Sequence, residues 1–243
     1  MPFTTLISTA ELAAQASDPS IVIIDCRHLL TDVAYGRREY AKAHLPGARF
    51  AHLDEDLSAR PNGKNGRHPL PNADWLGAKF GALGIDSSKQ VVCYDDAGGA
   101  IAGRTWWSLR WLGHDAVAVL DGGITKWIKE GRPVTDAVPS FNSAKFVAKP
   151  KASFVDAQYV LENLRRPGVL VIDARANDRF HGQNETIDPV AGHIPGAVNR
   201  FFKDNLTAEG TYKPAAQLRE EFERILKGMP PSAIVSQCGS GVT

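Results

Sequence analysis

The chain has 243 residues, 43% hydrophobic and 23% charged, with 28 Lys and Arg against 27 Asp and Glu for a formal charge of +1. That is the balance of a soluble globular protein with room for two domains of ordinary size. So even a charge gives no electrostatic case for nucleic acid or an anionic membrane, and neither is expected as a partner.

In chain order, the first residues, MPFTTLISTAELAAQ, show neither a basic n-region nor a long apolar stretch, and no later window approaches a membrane span. A cytoplasmic location is the expectation. Three cysteines, Cys26, Cys93 and Cys238, are too few and too scattered for a disulfide framework or a zinc site. They suit one reactive thiol beside two packed ones, and no metal or cofactor is expected.

The run IVIIDCR (Ile21 to Arg27) is apolar and β-branched and ends in Asp-x-Arg. It reads as a buried parallel strand whose polar residues emerge at its carboxyl end. GRRE (Gly36 to Glu39) reads as a solvated loop face, and HLPGA (His44 to Ala48) as a turn with a structural histidine. VVCYDD (Val91 to Asp96) is a second strand, TWWSLRWLGH (Thr105 to His114) a helix with a Gly-His stop, and AVAVLDGG (Ala116 to Gly123) a third strand. RPVTDAVPSFNSAKFVAKP (Arg132 to Pro150) carries three prolines and little periodicity, which predicts a connection. The expected division is an N-terminal domain over 1–135, a linker over 136–151 and a C-terminal domain over 152–243. In the latter, VLVIDAR (Val169 to Arg175) and AIVSQCG (Ala233 to Gly239) read as strands and AQLREEFERIL (Ala216 to Leu226) as an amphipathic helix.

The chain contains itself twice. IVIIDCR is matched by VLVIDAR, HLPGA by HIPGA (His193 to Ala197), and VVCYDD by AIVSQCG, which aligns Asp95 with Cys238. Strands alternating with helices in both copies predict an α/β protein, each copy a parallel sheet flanked by helices. After Asp95 the first copy continues through a helix, a strand and a helix around Trp127. The second copy stops at Thr243, about 30 residues short by this comparison, so the second domain is expected to be truncated.

Cys238 stands at the end of a strand and before GSGVT, a loop that turns several backbone N–H groups toward one spot. Such donors favour thiolate over thiol and can hold the terminal sulfur of a persulfide, which suits covalent transfer through cysteine. Cys26 and Cys93, inside apolar runs, read as buried small hydrophobes. Asp95 and Asp96 read as the remnant of a retired site, not a metal pair.

The order Asp-x-Arg, His-(Leu/Ile)-Pro-Gly-Ala, then strand-Cys-loop, given twice with Asp95 in place of cysteine in the first copy, resembles the tandem-domain rhodanese family. The resemblance covers essentially the whole chain. It implies two rhodanese-like domains, the second catalytic, and a sulfurtransferase that carries sulfane sulfur as a Cys238 persulfide. The loop CGSGVT is similar to that of 3-mercaptopyruvate sulfurtransferases, whereas thiosulfate sulfurtransferases carry two basic residues where this chain has Gly239 and Ser240. Loop contacts to substrate are then implied for Gly239, Gly241, Val242 and Thr243. Arg179 matches the arginine that grips the donor's anionic group, and Arg175 the Asp-x-Arg arginine, whose pairing with Asp173 or loop carbonyls is the expected role. Asp188 stands where mercaptopyruvate enzymes have a second arginine, and so disagrees with the loop about the donor. The resemblance also implies a relay of Ser240, His68 and Asp54 across the domain interface. Implied partners are a small sulfur donor and a thiol acceptor, cyanide or a thioredoxin-like reductant. Two alternatives stay open: a cysteine phosphatase of the same architecture, disfavoured by Gln237 where those loops have His, and a non-catalytic sulfur-relay or binding module.

Overall fold

The computed structural model describes residues 1–152 and 154–243. Met1–Ala152 forms one compact unit, and nearly all the described residues after it form a second.

The first unit is built on five parallel strands: β1 (Leu6–Ile7), β2 (Ile21–Asp25), β3 (Arg49–Phe50), β4 (Gln90–Tyr94) and β5 (Val117–Leu120), in the order β1-β5-β4-β2-β3. The central strands are apolar over Ile21–Ile24 and Val91–Cys93, because both faces are covered there. Val22, Ile24, Val91 and Cys93 face one core with Leu76, Phe80 and Leu109, from helices α4 (Ala73–Ala82) and α5 (Ala102–Trp111). Their neighbours Ile23, Val92 and Tyr94 face the other core with Leu12, Ile124 and Trp127, from α1 (Thr9–Ala14) and α6 (Gly123–Lys129). This is the period-two alternation of a strand read by two helical layers. Local caps agree with the global fold: Ser8 and Glu11 make a reciprocal capping box on α1, and Asn72 caps α4.

Two segments differ from expectation. GRRE lies not in a loop but in helix α2 (Tyr35–Lys42), which is anchored by buried Tyr40; Arg37 pairs with Glu55 at 2.8 Å and Arg38 with Asp32 at 2.5 Å. The stretch 136–151, read as a linker, is strapped along the first unit. The amides of Ala144, Lys149 and Lys151 each donate to a carbonyl of that unit (Gly81, Leu112 and Trp111) at 2.8 Å, and Phe146 packs on Phe80. A short helix α3 (Leu53–Asp56) follows β3.

The second unit has helix α7 (Ala157–Glu162), strand β6 (Leu170–Asp173), a helical turn α8 (Asn177–Phe180), strand β7 (Val198–Asn199), helix α9 (Ala215–Leu226) and strand β8 (Ile234–Gln237). The sheet order β7-β6-β8, all parallel, repeats β3-β2-β4 of the first unit. The registers coincide as well: Asp25 pairs with Phe50 and Tyr94, and Asp173 with Asn199 and Gln237. Val171, Ile172 and Phe180 are its buried apolar residues, and α9 presents Leu218, Phe222, Ile225 and Leu226 as a half-buried stripe at helical spacing.

Candidate active site

Asp173, fully buried at the end of β6, receives the Arg175 guanidinium at 2.7 Å, and the same Nη2 donates to the Gly192 carbonyl at 2.7 Å. The arginine thus ties the strand end to the segment entering HIPGA. The first unit repeats this: Arg27 Nη2 bonds Asp25 at 2.6 Å and the Ala43 carbonyl at 2.7 Å. Because the unit without the cysteine keeps the arrangement, its first role is structural. The histidines also recur as packing elements. His193 stacks on Phe180 with ring centroids 3.7 Å apart, and His44 on Tyr40 at 3.9 Å.

Cys238 directly follows β8 and is half-buried. Its Sγ accepts N–H groups of Ser240 at 3.5 Å and Gly241 at 3.2 Å; Gly241 takes φ +70°, which turns the loop back over the sulfur. Gly239 lines the cleft beside it, Val242 is buried and Thr243 exposed. The matching loop of the first unit shows what such a turn does with an anion. The Asp95 carboxylate accepts four backbone N–H groups, from Ala97 and Gly99 at 2.9 Å, Ile101 at 2.8 Å and Ala102 at 2.9 Å. Burial pushes its pKa up, and the four donors hold it back. Gly123 is required here, since a Cβ on it would lie 2.2 Å from the Asp95 carbonyl. Asp96 is taken up by the Tyr35 hydroxyl at 2.5 Å.

A cleft of about 290 Å³ opens at Cys238, lined by Arg175, Asp188, His193, Ile194, Gln237 and Gly239 among others. It sits at the carboxyl ends of the strands, where open parallel sheets place ligands. A smaller cleft of about 230 Å³ in the first unit, near Phe3 and Gln90, lies at the opposite, amino end of its strands and away from this chemistry.

Arg179 stands apart from that cleft. Its guanidinium forks onto Glu185, Nε at 3.0 Å and Nη2 at 3.1 Å, and Nη2 also reaches Asp188 at 2.8 Å. Glu185 lies 3.7 Å from Arg175 as well, and its pKa is lowered by the Arg179 bonds. Among the described residues lining this cleft, Arg175 is the arginine present, and Arg179 is not one of them. Glu185 escaped the sequence reading; an acid a few residues past an arginine in an irregular segment carries no periodic signal.

Asp54 and His68, separated in the chain by the segment SARPNGKNG, come together: His68 Nε2 is 3.2 Å from Asp54 Oδ1. Burial lowers the pKa of His68, and Asp54 opposes this. Two further histidines not foreseen, His28 and His52, stand 3.9 and 4.0 Å from the other oxygen of Asp54. Cys26 and Cys93 are fully buried in the first unit, and burial raises the Cys26 thiol well out of the reactive range.

The family model for the rhodanese-like domain matches residues 8–130 and 156–243. A probable 3-mercaptopyruvate sulfurtransferase of Pseudomonas aeruginosa is 46% identical over 241 residues, covering 98% of this chain and 85% of that protein. A thiosulfate sulfurtransferase of Mus musculus is 34% identical over 253 residues, covering 99% of this chain and 83% of that protein. Among solved structures, SseA from Escherichia coli, presented with the rhodanese fold and mechanism of 3-mercaptopyruvate sulfotransferases, matches with a TM-score of 0.83. Its identity is 29%, over 99% of this chain and 90% of that one.

Proposed function

This chain belongs to the rhodanese-like domain family and is a sulfurtransferase, and from that premise we propose that it takes sulfur from 3-mercaptopyruvate onto Cys238. The observation that carries the reading is the Cys238 sulfur at a strand end, facing the amides of Ser240 and Gly241 in a loop with no cationic side chain. Amide donors stabilise an anionic sulfur without demanding a dianionic donor.

The thiolate attacks the sulfur of the donor; the S–S bond forms as the C–S bond breaks. The bonding pair leaves on carbon as the enolate of pyruvate, which collects the proton from the new persulfide S–H and becomes pyruvate. The persulfide anion then rests on the loop amides until a thiolate or cyanide attacks its outer sulfur and expels the Cys238 thiolate. Ser240 and the His68–Asp54 pair are assigned to proton delivery near the ketone, following the resemblance. Arg175 supplies the positive field at the sulfur, and Arg179 meets the donor carboxylate once Glu185 and Asp188 release it. A thioredoxin-like dithiol in a reducing cytoplasm is the acceptor proposed, and among the described residues no helix is long and apolar enough to cross a membrane.

The test is a single turnover. With 3-mercaptopyruvate and no acceptor, the enzyme should release one equivalent of pyruvate and gain the mass of one sulfur, removable by cyanide. Cys238→Ser should do neither; an adduct surviving that change would place the sulfur elsewhere.

A further inference from the structure

The first unit gathers three buried histidines around one carboxylate. His28 follows the Asp25–Arg27 motif at the carboxyl end of β2, His52 leads into α3, Asp54 sits in the first turn of α3, and His68 closes the loop beyond. His28 and His52 have side chains 3% exposed, whereas Asp54 is 35% exposed, so the group is walled on most sides and open on one. One ring nitrogen from each of His28 and His52 and an oxygen of Asp54 all lie within 4.8 Å of one another. The buried His28 ring turns its Nε2 toward the Asp54 carboxylate, 3.9 Å from Oδ2.

The orientation of His52 is set from behind. Its Nε2 donates to the Val33 carbonyl at 3.1 Å, which fixes the tautomer and leaves the Nδ1 lone pair turned toward Asp54. A backbone carbonyl behind a ligating histidine is the usual outer support of a metal-bound imidazole. The contacts Nδ1 makes with the amides of Asp54 and Glu55 are long, 3.2 and 3.4 Å, and are the ones a stronger Lewis acid would replace. In a tetrahedral zinc site the ligand atoms stand about 3.3 Å apart. The nitrogen-to-oxygen separations here, 3.9 and 4.0 Å, need each ring to close by about 0.6–0.7 Å.

We propose that His28, His52 and Asp54 bind one divalent transition-metal ion of the zinc class, with water from the open side as fourth ligand. Asp54 would then bridge the ion through Oδ2 and His68 through Oδ1. Reading cysteines for a metal site missed this one, because its ligands meet only when the end of β2 and the start of α3 are brought together. The site stands on the first unit's geometry alone and does not depend on the donor assigned above.

The test uses the full chain carrying Cys238→Ser, so that the reactive thiol cannot bind metal. Co²⁺ titration should give one equivalent, with the visible absorption of four-coordinate cobalt and no thiolate charge-transfer band. Zn²⁺ should displace it and raise the melting temperature. His28→Gln should weaken binding at least about tenfold and remove the thermal shift. Should that variant not fold, the isosteric Asp54→Asn should give the same loss. Absence of cobalt uptake, a six-coordinate spectrum, or uptake unchanged in the folded variant would overturn the proposal.

Discussion

Asp95 and Cys238 hold the same place in two copies of one structure. Each directly follows the strand residue that pairs with the aspartate of an Asp-x-Arg motif, Tyr94 opposite Asp25 and Gln237 opposite Asp173. The first copy fills its loop with a carboxylate that accepts four amides; the second presents a sulfur to two. Asp95 therefore acts as a built-in anion that holds the first loop in shape.

Removing that anion should destabilise the first unit. Asp95→Ala leaves four buried N–H groups without their acceptor, and a loss of about 2–4 kcal/mol is expected in urea unfolding. Asp95→Asn separates charge from shape. Burial raises the folded-state pKa of Asp95 above its unfolded value of 3.8, so the folded chain binds the extra proton within that window. The wild-type contribution is fully present below the unfolded pKa and falls as pH rises through the folded one. Relative to Asp95→Asn, wild-type stability should decline across that interval; parallel curves would show that the carboxyl does not titrate with folding.

Arg175 should matter first to stability. It neutralises fully buried Asp173 and ties it to the Gly192 carbonyl. Arg175→Met should cost about 3–5 kcal/mol in the second unit, the scale for leaving a buried charge alone. Arg27→Met should do the same to the first unit. If Arg175→Met melted like wild type while donor KM rose, the arginine would be a substrate ligand and not a staple.

The frame of the molecule was legible in the residues. Two β-branched runs ending in Asp-x-Arg, two His-x-Pro-Gly turns and the two strands leading into Asp95 and Cys238 predicted the parallel sheets and put Cys238 at a carboxyl end, because strand periodicity and turn chemistry are local. What escaped was set by tertiary contact. Phe146 and the amides of Ala144 and Lys149 lay the supposed linker along the first unit, yet nothing periodic marks them. His28 and His52 meet Asp54 only through the pairing of β2 with β3. Glu185 captures Arg179 from an irregular segment, where no sequence rule pairs an acid with a base.

That capture leads to a kinetic expectation. Arg179 is held by Glu185 and Asp188, so a donor carboxylate must compete with both for the guanidinium. Asp188→Asn should lower the KM for 3-mercaptopyruvate by about two- to fivefold, the scale of one partly exposed ion pair, with kcat little changed. Arg179→Lys should raise KM, since a point charge cannot reproduce the fork. If both variants leave KM unchanged, the donor's anion is bound elsewhere.

The donor itself is decided by charge around the sulfur. Thiosulfate brings a compact dianion to Cys238 and gains from cations in the loop, but Gly239 and Ser240 supply none. Arg175 is committed to Asp173, Arg179 to two acids, and Asp188 adds negative charge to the cleft wall. 3-Mercaptopyruvate brings one carboxylate, and its ketone accepts hydrogen bonds that strengthen as the enolate forms, so neutral donors serve it better than a fixed cation. Measured with cyanide as common acceptor, kcat/KM should favour 3-mercaptopyruvate. Gly239→Arg combined with Ser240→Lys should move the preference toward thiosulfate, by placing two positive charges where the dianion arrives. A wild-type preference for thiosulfate would mean that the field of Arg175 outweighs Asp188, and the double change would then gain little.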